Sequence, residues 1–293
     1  MVVVTLISER SRAGLSGSVA DKVAHCLGGA SPIWLEPEVA ADFLPDTEPS
    51  DEALAEVRAL ADASALDCVV QKVEGRRKRI LLADMDSTMI GQECIDELAA
   101  EIGIKEKVAA ITARAMNGEI AFEPALRDRV ALLRGLPEAV IAEVIRKRIT
   151  LAPGGRELVA TMRAHGAHTA LISGGFTTFT AKIAAMLGFH EDRANRLIVE
   201  DGKLAGRVEE PILGRDAKLA ALHDIAQKLG GSVEDAVVVG DGANDLAMIQ
   251  AAGMGVALHA KPAVAAAAPH RIDHGDLTAL LFIQGYPRSD FVG

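Results

Sequence analysis

Four short, almost uninterrupted apolar runs constrain this chain more than any other feature. They are Ile80-Leu81-Leu82-Ala83, His168-Thr169-Ala170-Leu171-Ile172, Ala236-Val237-Val238-Val239 and Gly255-Val256-Ala257-Leu258. A strand with one wet face alternates apolar and polar residues; a strand buried on both faces does not, and that is the signature of a parallel sheet covered by helices. Amphipathic segments lie between the runs: Gly155 to Ala164 stopped by Gly166, Thr177 to Leu187 stopped by Gly188, Ala217 to Leu229 stopped by Gly230, and Asp245 to Ala252 stopped by Gly253. Helices close in this way when glycine takes the left-handed turn that ends them. The pattern predicts a doubly wound α/β domain.

Two inserts interrupt it. From Gly91 to Thr150 there is no strand pattern, only helical stripes such as Ile95, Leu98 and Ile102, or Leu126, Val130 and Leu133. This predicts a helical cap over approximately residues 91–150, placed directly after the first core strand. A smaller insert, Arg196 to Val208, alternates around Asp201-Gly202, a strong hairpin signal.

The amino-terminal part reads differently. Val2 to Ile7 is a strand pattern and Gly14 to Leu27 a helix with Leu15, Val19, Val23 and Leu27 on one stripe. Ile33 to Leu35 and Ala41 to Leu44 are short strand candidates, Ser50 or Asp51 can cap a helix through Leu60, and Cys68-Val69-Val70 reads as a strand. The order β-α-β-β-α-β predicts a small ferredoxin-like α+β domain over residues 1–75. The basic stretch Gly75-Arg76-Arg77-Lys78-Arg79 is expected to be a solvated linker, with a second domain over 76–293.

Composition removes several functional classes. The formal charge is −10, from 31 Lys+Arg against 41 Asp+Glu, and only nine aromatic residues occur. No basic footprint for nucleic acid is present, so none is expected as a partner. Cys26, Cys68 and Cys94 form no CxxC pair, which fits a reducing cytoplasm better than a disulfide scaffold. The apolar start is ended by Ser8-Glu9-Arg10, too early for a spanning helix, so no membrane partner is expected.

In open parallel sheets, ligands bind beyond the carboxyl ends of the strands. Three of the four runs end there in reactive groups: Asp84-Met85-Asp86-Ser87-Thr88, Ser173-Gly174-Gly175, and Gly240-Asp241-Gly242-Ala243-Asn244-Asp245. Lys218 lies near the start of the helix before the third run. Each group alone has an ordinary explanation: acidic residues cap helices, Ser-Gly-Gly turns, and a lone lysine is usually a surface residue. Together they place carboxylates, a hydroxyl, a glycine-rich anion cradle and a cation on one sheet edge. Hard oxygen ligands of this kind suit Mg²⁺. A phosphate ester needs Mg²⁺ and Lys218 to offset the charge of Asp84, which can then attack as a nucleophile while Asp86 serves as general acid and base. Ser173 and the Gly174 amide can face phosphate oxygens at a helix N-terminus.

These motifs resemble the haloacid dehalogenase superfamily, whose phosphatases carry Asp-x-Asp-x-Thr, a strand-end Ser/Thr, a Lys and Gly-Asp-x-x-x-Asp. The matching positions here are Asp84, Asp86 and Thr88, then Ser173, Lys218, Asp241 and Asp245. The resemblance implies that Asp84, Asp86 through its carbonyl, and Asp241 hold Mg²⁺, with Asp245 and Asn244 orienting the metal shell. Within the superfamily the chain is similar to the phosphoserine phosphatases, through Glu93, the stretch Met116 to Val130, Leu133 to Pro137, and Ser173-Gly174-Gly175-Phe176. That likeness implies hydrolysis of O-phospho-L-serine, the last step of serine synthesis. Glu93 would pair the substrate ammonium, Arg129 its carboxylate, Met116 and Phe122 would close an apolar lid, and Ser173, Gly174, Lys218 and Asn244 would contact the substrate.

The first domain resembles a degenerate ACT module through Arg12-Ala13-Gly14-Leu15, which lacks the proline usual before that glycine. The missing proline weighs against amino-acid binding there, and of the two readings a packing or homodimerisation unit is the favoured one. Two other readings stay open: a phosphotransferase that passes the phosphoryl group to a hydroxy amino acid such as homoserine, and an amino-acid sensor with a non-catalytic core. His259, His270 and His274 are expected at the surface, and Cys94 near the site without a base to activate it.

Overall fold

The computed structural model describes residues 1–293. Its first unit contains β1 (Val2–Ser8), α1 (Gly17–Cys26), β2 (Pro32–Glu36), β3 (Ala40–Phe43), α2 (Asp51–Ser64) and β4 (Leu66–Lys72). The sheet order is β2-β3-β1-β4 with every pair antiparallel, the ferredoxin-like arrangement expected from the element order. Val4 and Leu6 of β1 pack with Val23 and Val57 of the two helices. Ile7, on the opposite face, joins the core of the rest of the chain. Both faces of β1 are therefore covered, which is why Val2 to Ile7 shows no alternation. Helix α1 starts three residues later than the stripe suggested, because the Ser16 hydroxyl accepts from the Val19 amide as its cap. Gly14 is instead held by its amide donating to Ser8 Oγ.

The basic stretch that follows is not a solvated linker. Arg76 makes a 2.8 Å ion pair with the buried Asp42. Arg77 lies 4.2 Å over the Tyr286 ring, and Lys78 Nζ donates to the Glu234 carbonyl. Asp67 adds a second anchor, its carboxylate accepting from the backbone amides of Asp273, His274 and Gly275. Run composition suggests solvation, but the acceptors that capture these cations are contributed by distant elements.

The remaining elements begin with β5 (Ile80–Ala83) and then four helices, α3 (Cys94–Ala100), α4 (Lys105–Met116), α5 (Phe122–Leu132) and α6 (Ala139–Arg148). Next come α7 (Gly155–Ala164), β6 (His168–Phe176), α8 (Thr177–Leu187), β7 (Glu191–Asn195), β8 (Leu197–Glu200), β9 (Lys203–Val208) and α9 (Arg215–Lys228). The chain closes with β10 (Ala236–Gly240), α10 (Leu246–Ala251), β11 (Met254–Leu258), α11 (Pro262–Ala267), β12 (His270–Ile272) and α12 (Ala279–Ile283). Six strands form one parallel sheet in the order β12-β11-β10-β5-β6-β7. Ile80, Leu82, Ala236 and Val238 pack with Leu222, Ile225 and Ile249 on one side. Leu81, Ala83, Val237 and Val239 pack with Leu158, Ile183 and Leu280 on the other.

Strands β7 and β12 carry no apolar run and were not expected. They are the sheet's edges, where burial on both faces is not required. The strand order reverses between β5 and β10, so the crevice beyond their carboxyl ends is the natural ligand site.

The helical cap is joined to the core through a narrow neck. Gly91 donates to the Thr150 carbonyl and Ala152 to that of Met89, around the Ile90–Leu151 bridge. In the β8–β9 hairpin, Asp201 (φ 50°) and Gly202 (φ 72°) both take the left-handed conformation that a two-residue turn needs. The hairpin leans on the cap, with Gly135 donating to Leu204 O and Leu204 to Leu136 O. No helix is long and apolar enough to cross a membrane.

Candidate active site

Beyond β5 the ladder continues for one residue, Asp84 donating its amide to Val239 O. The chain then folds back on itself: Met85 O accepts from the amides of Thr88, Met89 and Ile90, and Ser87 takes a positive φ of 55°. A left-handed serine is uncommon and marks a turn that its surroundings must hold. Here the Ser87 hydroxyl donates to Glu93 Oε1 at 2.7 Å, and the Cys94 amide donates to Asp86 Oδ1 at 3.0 Å. Beyond β10, Asp241 is buried and Thr88 Oγ1 donates to its Oδ1.

Lys218 on α9 is fully buried and lies 2.6 Å from Asp84 Oδ1 and 2.5 Å from Asp245 Oδ1. Burial alone would lower its pKa, but the carboxylates of Asp245 and Asp84 hold it above the ordinary lysine value. The second oxygen of Asp245 accepts from the Gly242 amide, so Asp245 is committed to protein partners.

One lysine does not neutralise this site. Burial, then the charge of Asp245, pushes Asp84 well above the usual carboxylate range. Burial also raises Asp86, against the opposing hydrogen bonds from Cys94. Asp241 is pushed up to about 7 by burial and Asp245, and Glu93 to about 8 by burial and its neighbours Asp86 and Asp241. The Cys94 thiol, buried beside Asp86, is raised and stays protonated.

Acids crowded in this way call for a bound cation. Carboxylate oxygens of Asp84, Asp241 and Asp245 lie within 4.8 Å of one another, and Asp241 Oδ2 is buried with no hydrogen-bond partner. An all-oxygen donor set with an unpartnered carboxylate fits a hard divalent ion. Such an ion binds the deprotonated acids, so its affinity should rise with pH through about 7, the value to which burial and Asp245 push Asp241. Calorimetry of Mg²⁺ binding in two buffers of different ionisation enthalpy should read net proton release at about pH 7. Binding without proton exchange there would contradict the assignment.

The Ser173 side of the site is built by a disruption of the sheet. Between the pairs Ile172–Arg193 and Phe176–Asn195, three residues of β6 (Ser173, Gly174 and Gly175) stand against Ala194 alone. The bulge releases backbone amides from the ladder. A Cβ on Gly174 would lie 2.5 Å from Phe122 Cζ, and one on Gly175 would lie 2.7 Å from Asp86 Oδ2. Only glycines let the cap aromatic and the acid approach so closely.

The cap closes the other side. Asp84, Asp86, Glu93, Met116, Phe122, Arg129, Ser173, Gly174 and Asn244 line one cleft. Lys218, Asp241 and Asp245 are buried beside it, connected through Asp84. Ala243 donates its amide to Met116 O, tying the cap directly to the loop after β10. Arg129 is 2% exposed and uses two of the five N–H groups of a guanidinium, Nε to Ala125 O and Nη1 to Thr112 Oγ1. Burial lowers its pKa while Glu93, Asp96 and Asp86 oppose that, and no carboxylate pairs with it directly. Asn244 Oδ1 is likewise buried without a partner.

Sequence reasoning missed the residues that aim these groups. Thr112 receives Arg129 and donates to Asp96, and Ser87 holds Glu93. A threonine among the apolar positions of a helical stripe was the available signal for Thr112. The histidines behave as expected, with His259 and His274 exposed and His270 partly so.

Residues 81–250 match the haloacid dehalogenase-like hydrolase family. A phosphoserine phosphatase of Archaeoglobus fulgidus is 40% identical over 253 residues, spanning 85% of this chain and 73% of that protein. A HAD-family hydrolase structure from Salmonella enterica serovar Typhi superposes with a TM-score of 0.84 at 29% identity, covering 97% of this chain and 99% of the other. A phosphoserine phosphatase structure described as a phospho-aspartyl intermediate analogue gives a TM-score of 0.67 at 43% identity, covering 70% of this chain and 98% of that one.

Proposed function

The chain belongs to the haloacid dehalogenase-like hydrolases and, within them, to the phosphoserine phosphatase family, and from that premise we propose that it hydrolyses O-phospho-L-serine to L-serine and phosphate. One observation carries the reading: Ser173 and Gly174 line one end of the cleft, with Lys218 buried beside them against Asp84, and Glu93 and the buried Arg129 line the other. A phosphomonoester that is also a zwitterion matches both ends.

In this reading the Ser173 hydroxyl, the Gly174 amide and the Lys218 ammonium seat the phosphate. Asp84 attacks phosphorus and forms an aspartyl-phosphate as the serine oxygen leaves. Asp86, whose pKa burial raises, donates a proton to that oxygen and then takes one from the water that cleaves the intermediate. Asp84, Asp241 and the Asp86 carbonyl would hold Mg²⁺, with Asp245 fixing Lys218 and the loop around them. When bound, the ion neutralises charge on the phosphate and on the acids around it. Glu93 pairs the substrate ammonium and Arg129 its carboxylate, while Met116 and Phe122 exclude bulk water. The proposal divides the chain at residue 75, keeping all of this chemistry in residues 76–293.

The test is phosphate release from phosphoserine beside phosphothreonine, phosphoethanolamine and phosphoglycolate at one Mg²⁺ concentration. A site built to receive a carboxylate should turn over phosphoethanolamine, which has none, at least about 100-fold less efficiently in kcat/KM. Equal efficiency would remove the role given to Arg129.

A further inference from the structure

The bulge that frees Ser173 and Gly174 creates a structural debt elsewhere in the sheet. Gly174 O has lost its place in the β6–β7 ladder and is buried, and a buried carbonyl needs a donor. The donor is a side chain: Asn195, the last residue of β7 and only 3% exposed, donates Nδ2 to Gly174 O at 2.8 Å. The rest of its amide is equally committed. Asn195 Oδ1 accepts from the Leu213 amide at 2.6 Å, and Nδ2 also lies 3.2 Å from Leu213 O. A side-chain amide thus pairs with Leu213 as a neighbouring strand's peptide group would.

Leu213 precedes Gly214, the N-cap of the helix that carries Lys218, and the Lys218 amide donates to Gly214 O in the first turn. One buried amide therefore bridges the two segments that supply the phosphate contacts, the Ser173-Gly174 bulge and the start of α9. Asn195 does not line the cleft, and so touches no substrate itself.

We infer that Asn195 is a positioning residue that sets the spacing between the Gly174 amide and the Lys218 ammonium, and hence the affinity of the site for a phosphoryl group. The inference rests on the phosphatase reading for its substrate, but its core concerns phosphate alone. Both hydrogen-bonding functions must be present together. Asn195→Asp keeps the size and the acceptor for Leu213 but turns the donor toward Gly174 O into a second acceptor. Asn195→Ala removes both.

The experiment compares the wild-type protein with these two variants by inhibition and direct calorimetry, using inorganic phosphate and, separately, L-serine. Thermal melting confirms the folded fraction. Each variant should bind phosphate about tenfold more weakly and raise KM for phosphoserine in step, because a buried carbonyl and the cradle it anchors lose their support. Binding of L-serine, which has no phosphate, should stay within about twofold. If one variant does not fold, the other carries the comparison. If neither folds, Asn195 is a determinant of stability and the inference falls. Phosphate affinity unchanged in either folded variant, or phosphate and serine weakened alike, would overturn it as well. A wild-type protein that binds phosphate but neither serine nor phosphoserine would instead sink the substrate reading and leave the phosphate comparison standing.

Discussion

Asp84→Asn should abolish phosphate release while leaving the fold in place, a loss of at least about 10⁴-fold in kcat. The substitution is nearly isosteric and keeps the turn after β5, because that turn is held by backbone groups of Met85, Thr88 and Met89 rather than by the Asp84 side chain. An amide oxygen lacks the charge and basicity to displace an alkoxide from phosphorus. Lys218 retains Asp245 as its partner, so the melting temperature should change little. Removing one of several crowded acids relieves repulsion, which offsets the lost contact with the lysine. Steady-state phosphate release and thermal melting, measured on the same preparation, separate the two effects. Residual activity within about 100-fold of wild type would mean that Asp84 is not the nucleophile.

Lys218→Met should cost both stability and activity. The side chain is fully buried between two buried carboxylates, and methionine fills its volume without its charge. Removing one partner from such a group leaves uncompensated buried charge, at a cost of about 3–5 kcal/mol. The cost has a definite pH dependence. Without the ammonium, which opposes the rise, Asp84 moves still further above its unfolded-chain value, so the folded state binds the extra proton. Stability then falls as pH rises through the window between unfolded and folded values. Urea denaturation should therefore show a larger deficit at about pH 8 than at about pH 5. Phosphate release should fall by about 10³-fold or more, because the phosphoryl group loses the cation that faces its charge. A stability deficit that does not change with pH would contradict the charge argument.

The parts of this structure that were legible in the sequence are those whose cause is local or periodic. Strands β5, β6, β10 and β11 announced themselves because residues such as Leu81 and Leu82 are buried against helices on opposite faces. The helices between Gly91 and Thr150 were readable from their apolar stripes, whose side chains such as Leu98, Val130 and Val144 pack into one core. The Asp201-Gly202 turn was readable because few residues other than Gly, Asn and Asp enter the left-handed region readily.

What escaped the reading depends on partners far apart in the chain. Strand β7, Glu-Asp-Arg-Ala-Asn, is polar because an edge needs only one paired neighbour. Arg76 looked like a linker residue because its acceptor, Asp42, arrives from a different sheet. Asn195 drew no attention in the sequence, since nothing in its neighbours shows that a bulge 21 residues earlier lacks a donor. At the site itself, residue types and order were enough to name side chains that the fold brings together. Their aiming partners, Thr112, Ser87 and Asn195, needed the fold.

The most direct test of the central claim is phosphate release from O-phospho-L-serine by the wild-type protein, measured with Mg²⁺ and again with excess EDTA. The account predicts steady release with Mg²⁺ and none with the chelator, restored when Mg²⁺ is added back. Release that continues undiminished in EDTA would contradict the metal assignment at Asp84 and Asp241. No release under either condition would contradict the phosphatase reading itself.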